Sequence, residues 1–283
     1  MGGGAEVHLH EILRRLVDRG HEVTWLACTY PGAADEEIGE DGIRYRRRGH
    51  WAFSNFNVIP LMRDELSKRS YDVVLEDINK VPFYAPLFTR LPVLAVIPHL
   101  FGRTVFRETN AAFATYVWLS EVPLSSVYRR SMFMAISDST RDDLVRRGVK
   151  RDKIEVVHCG MDHERYQLDD PPTRGTAPRI VHLGRLRRYK SVDVVLRALA
   201  RIREVFPDAE LDVIGDGPDR LRLIELAKEL GLESAAHFHG HVPRQEIVET
   251  LYRSHLFLNP SPKEGWGLTV IEANECGVPV VAS

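Results

Sequence analysis

The residues best suited to chemistry lie near the end of the chain, in PSPKEGWGLTVIEANECGVPVVAS, residues 260–283. Two glutamates, Glu264 and Glu272, bracket seven residues, and Gly265 and Gly267 follow the first of them. Glycine has no Cβ and lets backbone approach a ligand closely. A helix starting near Gly267 turns unpaired N–H groups and a positive dipole end toward whatever sits there. That is a site for phosphate. Glu272, in the first turns of that helix, is placed to accept hydrogen bonds from two adjacent hydroxyls. Further back, HLGRLRRYKSVD supplies Gly184, Arg185 and Lys190, and VIGDGPDR supplies a turn with Gly215 and Gly217. Arg grips phosphate with a fork and Lys acts as a point charge. Two such cations could hold an anion. His99 follows the apolar run VLAVIP, which sets it at the carboxyl edge of a strand. The segment 260–283 alone could hold the diphosphate, ribose and sugar of an activated sugar.

Each residue also has a plainer reading. Arg185 and Lys190, with Arg187 and Arg188 beside them, make a solvated basic turn. Glu264 is an exposed loop carboxylate, and Glu272 a helix-start glutamate favoured by the dipole. His99 is a structural hydrogen-bond partner. Glu76 and Asp77 end another strand and could face an acceptor.

Strands and helices alternate along the chain. Residues 5–19 carry Leu9, Ile12, Leu13, Leu16 and Val17 on one helical face, with Gly20 as the stop. Strands are expected at 22–28, 72–75, 92–97, 133–136 and 154–157, with a helix after Ser137 or Ser139. DDPPTRGTAP, residues 169–178, holds three prolines and a glycine and reads as a linker. The pattern then restarts: strands at 179–183, 210–214, 235–239, 256–258 and 279–282, with helices between them. Pro218 and Pro243 open two of those helices. Repeated βα units imply an α/β protein with mostly parallel sheets, whose ligands bind at the carboxyl ends of the strands. Two domains follow, 1–168 and 179–283.

The ordered set of motifs resembles the retaining nucleotide-sugar glycosyltransferases of family 4, of GT-B fold. GGGAEVH, RGHEVTWLA, the isolated His99, AISDST, VVHCGMD, HLGRLRRYKSVD, VIGDGPDR, HFHGHVP, NPS, PKEGWGLTVIE and GVPVVAS all fall in family order. The resemblance implies two Rossmann-like domains facing a cleft. It implies transfer of a hexosyl group from a nucleotide-diphosphate sugar to a glycan, lipid or small-molecule acceptor, as in cell-envelope polysaccharide synthesis. It makes Glu264, His99, Arg185 and Lys190 the catalytic residues. It gives donor binding to Gly2, Gly3, Gly184, Gly215, Gly217, Gly265, Trp266, Gly267, Leu268 and Glu272. The chain contains no Asp-x-Asp, in keeping with a metal-independent site that needs no cofactor beyond its sugar-nucleotide substrate. In the family a strand precedes the glycine pair matched by Gly2 and Gly3, and further βα units follow the end. The chain therefore reads as a piece of a longer frame, with its first sheet split in two. His158 and Cys159 stand where the family often has Pro and Asn, and Asn274 replaces an apolar residue near the nucleotide base.

Composition sets bounds. A length of 283 residues suits two domains, and a net charge of −2 gives no global field for nucleic acid. Three scattered cysteines indicate neither a zinc site nor a disulfide framework. A reducing cytoplasm fits, at or near the inner face of a membrane. Arg44, Arg46, Arg47 and Arg48 precede Trp51, Phe53 and Phe56. That cluster makes either a peripheral membrane contact or a solvated strand edge. Two other classes stay open: a nicotinamide-type Rossmann oxidoreductase, since GDGPDR joins a strand to a helix but lacks a third glycine, and a non-catalytic sugar-nucleotide-binding fragment. A sugar-nucleotide epimerase shares the fold without the paired glutamates.

Overall fold

A computed structural model describes residues 4–49, 54–79, 81–107, 109–262, 264 and 266–283, with the side chains of 4–6, 54–56 and 107 left aside. The chain forms two compact units, Met1–Cys159 and Gly160–Ser283.

The first unit runs α1 (Gly4–Asp18), β1 (Thr24–Ala27), β2 (Glu36–Ile38), β3 (Arg44–Arg47), α2 (Ser54–Lys68), β4 (Val74–Asp77), β5 (Val93–Ile97), α3 (Ala111–Glu121), α4 (Leu124–Val127), β6 (Met132–Ala135), α5 (Asp138–Arg146) and β7 (Ile154–Val156). Its strands make two sheets, β1-β3-β2 and the all-parallel β4-β5-β6-β7. Leu9 and Leu13 of α1 bury against Ile43, and Gly20, at φ +88°, lets the chain turn out of the helix. Ser137 caps α5 by accepting from the Thr140 amide at 3.2 Å.

Three expectations change here. Pairing of β4 runs from Val74↔Val93 to Asp77↔Val96, so this strand sits later than 72–75. The basic run is an interior strand: β3 lies between β1 and β2, antiparallel to β2. Its arginines are spent on ion pairs, Arg44 with Glu36 at 2.7 Å, Arg47 with Glu37 at 2.8 Å, and Arg46 with Asp64 at 3.1 Å and with Glu65. Arg47 is buried, with its guanidinium against the Tyr45 and Tyr30 rings. Trp51 and Phe53 lie outside the described residues, as does the Phe56 side chain. Third, Glu76 is buried rather than offered to an acceptor. It accepts from the amides of Phe83, Tyr84 and Ala85 at 2.6, 3.2 and 3.0 Å and from the Tyr128 hydroxyl at 2.6 Å. Burial raises its carboxyl above the ordinary range, against the pull of those donors. The cage holds Tyr84 in the left-handed region at φ 58°.

The second unit runs β8 (Arg179–Leu183), α6 (Val192–Arg203), β9 (Glu210–Ile214), α7 (Arg220–Glu229), β10 (Ala236–Gly240), α8 (Arg244–Arg253), β11 (Leu256–Asn259), α9 (Leu268–Glu275) and β12 (Val280–Ala282). Its strands form one sheet, β10-β9-β8-β11-β12, with every pair parallel. Alternation along β8 and β9 feeds two cores. Ile180, Leu211 and Val213 pack with residues of α6 and α7, and Val181 and Ile214 with residues of α8 and α9. The unit starts earlier than expected because Met161, Tyr166 and Leu168 belong to that second core. The Pro-rich segment is tied to the same unit, with Arg174 donating to the Gly277 carbonyl at 2.7 Å.

Replacing Glu76 with alanine strands three amides and a phenol in the interior. The expected loss is roughly 2–4 kcal/mol, read as a shifted urea midpoint. Glu76→Gln, which keeps one carbonyl acceptor, should lose less.

Candidate functional site

The motifs around Gly184, Gly215, Asn259 and Glu264 fall in loops that leave the carboxyl edge of the second unit's sheet, whereas GVPVVAS leads into and forms β12. Lys190 closes a 3₁₀ turn, Arg188–Lys190, after β8, and Ser191 then takes φ 53° before α6 begins. A serine in the left-handed region is uncommon and costs energy. Glu264 lies in the loop after β11. Because β11 pairs directly with β8, the two loops meet, and Lys190 Nζ reaches Glu264 Oε1 at 2.5 Å. Asn259, the last residue of β11 and buried, donates to the same oxygen at 3.3 Å. The Lys190 ammonium also lies 5.4 Å from the centre of the Tyr189 ring. Arg185, on the first of these loops, is exposed and has no ion-pair partner among the described residues.

The glycines have distinct jobs. A Cβ on Gly215 would meet the Gly184 carbonyl oxygen at 2.1 Å, and one on Gly217 the Leu186 oxygen at 2.2 Å. Both obstacles are backbone and cannot swing aside. These two glycines therefore let the loop after β9 lie flat on the loop after β8, where amides and carbonyls zip them together: Gly184 N–H to Ile214 at 3.0 Å, Leu186 N–H to Asp216 at 3.0 Å, Asp219 N–H to Leu186 at 3.2 Å. Gly267 has room for a Cβ but sits at φ 75° as the N-cap of α9, so conformation selects it. Trp266 and Leu268 flank it, half-buried.

Under this floor lies His182, fully buried on β8. Its Nδ1–H donates to the Leu258 carbonyl at 2.9 Å, and its ring stacks on Phe257 at 6.4 Å between centroids. Its Nε2 has no hydrogen-bond partner among the described residues and lies 3.7 Å from where a Gly184 Cβ would stand. Burial pushes its pKa down to about 4, which fixes the neutral tautomer.

Glu272, on α9, accepts from the Tyr166 hydroxyl at 2.7 Å, and that hydroxyl accepts from Arg244 Nη1 at 2.7 Å. Asn274 is exposed on the same helix. In the first unit, His99 follows β5, half-buried, edge-on to Phe101 at 4.6 Å. The loop after it is clamped by the buried Glu121, which accepts from the Phe101 and Gly102 amides at 2.7 and 2.8 Å and pairs with Arg147 at 2.9 Å. His158 hydrogen-bonds the Ile136 carbonyl at 3.2 Å. Beside it burial lifts the Cys159 thiol to about 11. Gly2, Gly3 and Gly265 lie outside the described residues. Among the described residues no group of three His, Cys, Asp or Glu side chains is placed to hold a metal ion, and no helix is long and apolar enough to cross a membrane.

The second unit thus assembles Gly184, Lys190, Gly215, Gly217, Asn259 and Glu264 at one sheet edge. Sequence reasoning missed His182, Tyr166 and Arg244 as members of the neighbourhood. His182 lay inside a motif already singled out. Tyr166 and Arg244 gave no signal, since their contacts span 106 and 78 residues.

The His182 shift has a sign. Between pH 6.5 and about 4 the unfolded chain binds a proton there that the folded chain refuses. Its contribution to stability is therefore lost as pH falls through that window. His182→Asn, which keeps a donor toward Leu258, should flatten the stability difference between pH 7 and pH 4.5 relative to the parent, measured by urea unfolding at each pH.

Two family models match. Residues 2–165 match Glycosyltransferase Family 4, and residues 165–283 match Glycosyl transferases group 1. The phosphatidylinositol N-acetylglucosaminyltransferase gpi3 subunit of Schizosaccharomyces pombe is 22% identical over 99% of this chain and 63% of its own length. A GDP-mannose-dependent alpha-(1-6)-phosphatidylinositol monomannoside mannosyltransferase of Mycolicibacterium smegmatis is 29% identical over 99% of this chain and 76% of its own. The chain spans less than two thirds of the length of the first of these. Among solved structures, WaaG, a glycosyltransferase involved in lipopolysaccharide biosynthesis, matches with TM-score 0.79 at 18% identity, over 100% of this chain and 78% of its own. Anabaena Alr3699/HepE in complex with UDP-glucose matches with TM-score 0.72 at 19% identity, over 100% and 77%. These likenesses carry the fold, the two Rossmann-like units of GT-B proteins. With more than half its length matched by the first model, the chain belongs to Glycosyltransferase Family 4.

Proposed function

We propose that this protein transfers a hexosyl group from a nucleoside-diphosphate sugar to an acceptor hydroxyl, with retention at the anomeric carbon and without a metal. One observation carries the reading: Lys190 and Glu264, 74 residues apart, pair at 2.5 Å above glycine-floored loops at the carboxyl edge of a parallel sheet. In this reading Lys190 exchanges its carboxylate partner for the donor diphosphate, and Arg185, unpaired among the described residues, brings the second cation. The leaving diphosphate gathers charge as the glycosidic bond breaks, and fixed cations stabilise that charge most where water is excluded. Glu264, released from Lys190, accepts from the hydroxyls of the donor sugar. Glu272 accepts from the ribose hydroxyls. His99 is assigned to the donor sugar on resemblance alone.

The rival dinucleotide reading loses its main support. Gly215 and Gly217 are explained by close packing against the Gly184–Leu186 backbone, so the turn needs no pyrophosphate to account for them. Both relatives described above carry phosphatidylinositol in their names, which favours a lipid-linked acceptor met at a cytoplasmic membrane face. The arginines of β3 add nothing to that, since they are paired within the unit.

Incubation with UDP-, GDP- and ADP-sugars should reveal hydrolysis or transfer with one nucleotide preferred. Lys190→Ala and Glu264→Gln should each lower turnover with that donor by about two orders of magnitude or more. Turnover within a few-fold of the parent in both variants would remove the assignment. A nicotinamide fluorescence titration that saturates would replace it with the oxidoreductase.

A further inference from the structure

Glu272 is not a lone carboxylate on a helix. Tyr166, 5% exposed, closes the 3₁₀ turn His163–Tyr166 that enters the second unit. Its carbonyl is held by the Tyr252 hydroxyl at 3.1 Å. Its ring packs in the core shared by α8 and α9. Only its oxygen reaches the polar edge, where it meets Glu272 on one side and Arg244 on the other. The direction of this chain is forced. A guanidinium has only donors and an ionised carboxylate only acceptors. The phenol therefore accepts from Arg244 and gives its single proton to Glu272 Oε1. The Arg244 guanidinium also lies 5.4 Å from the centre of the same ring, which holds the charge and the ring together. Burial, then the neighbouring Glu272 charge, raises the Tyr166 pKa, so the phenol stays a donor.

We propose that Tyr166, held by Arg244, is the positioning residue for Glu272 and sets how strongly this site prefers a ribonucleotide to its 2′-deoxy counterpart. The inference rests on the reading of Glu272 as the ribose acceptor. A glutamate side chain is otherwise free about three bonds, and fixing it costs rotamer entropy at the moment of binding. Tyr166 fixes it beforehand. One lone pair of Oε1 is committed to the phenol. In this proposal Oε2 and the remaining lone pair of Oε1 accept from a pair of vicinal hydroxyls. Such a preorganised acceptor rewards a ligand that presents both hydroxyls and leaves an unmet acceptor against one that lacks the 2′-hydroxyl.

The test uses the whole chain and titration calorimetry. UDP, GDP and ADP are compared first, and the tightest is then paired with its 2′-deoxy form. The parent should prefer the ribonucleotide, and Glu272→Gln should bring the two affinities close together. Tyr166→Phe, which keeps the ring, should weaken the ribonucleotide about tenfold while leaving the 2′-deoxy nucleotide unchanged. Unchanged 2′-deoxy binding also reports an intact fold. Arg244→Gln, at an exposed position, should move the ratio the same way and decides the matter if Tyr166→Phe does not fold. Equal weakening toward both nucleotides makes Tyr166 merely structural and overturns the proposal, as does a parental ratio in Tyr166→Phe alongside its loss in Glu272→Gln. If Glu272→Gln itself keeps the parental ratio, or the parent binds none of the three nucleotides, the ribose reading falls first and this inference with it.

Discussion

The contact between Lys190 and Glu264 is the constraint around which the second unit is arranged. It exists because β8 and β11 are neighbours in the sheet although they are far apart in sequence. It also needs two local devices. A 3₁₀ turn followed by Ser191 in the left-handed region aims the lysine back across the strand ends, and the Asn259 amide donates to the same glutamate oxygen. At 13% and 26% exposure, the two charges are shielded enough for their attraction to exceed that of a surface pair. They also cancel one another. In the proposed reading, an arriving diphosphate gains Lys190 only by displacing Glu264 from it, and the same exchange frees Glu264 for a neutral sugar, which would couple anion capture to sugar recognition through one ion pair.

Within each unit, loops that leave the strands are held by buried polar groups. His182 braces the end of β11 through the Leu258 carbonyl. Glu76 in the first unit gathers three consecutive amides and a phenol, and Glu121 gathers two amides and a guanidinium. Each carboxylate takes a stretch of backbone that leaves a strand and would otherwise have unpaired N–H groups, and satisfies it with a side chain from elsewhere. Buried carboxylates are costly unless fully bonded, and these are. The result is irregular backbone with little freedom, which is what a site built on loops requires.

Much of this was legible in the sequence, and the reason differs by element. The second unit was read almost residue by residue because its strands are short apolar runs bounded by Gly, Pro or Asp, and its helices have one apolar face. In the first unit, α3 (AAFATYVWLSE) is apolar nearly all round and shows no helical stripe, while α2 carries Pro60 in its interior. Both defeat periodicity. The strand β3 is RYRR, and nothing in that string says interior; it is interior because Glu36, Glu37, Asp64 and Glu65 neutralise it. Charges that cancel across a fold are invisible until the fold is known.

The glycines show where a family motif and a physical cause part company. Gly215 and Gly217 were assigned to donor binding on resemblance. Their lack of a Cβ is instead consumed by the backbone of Gly184 and Leu186, at separations no side chain tolerates. Their effect on a ligand is then indirect: they set the height of the floor on which Arg185 and Lys190 stand. Gly267 is different. A Cβ there would meet only Val270, at an ordinary contact distance of 3.7 Å, and its φ is positive, so its job is to start α9 abruptly and bring the helix N-terminus into play. Three glycines of one site thus serve packing, packing and conformation. A substitution that leaves the charged residues untouched can still dismantle the site by lifting one loop off another.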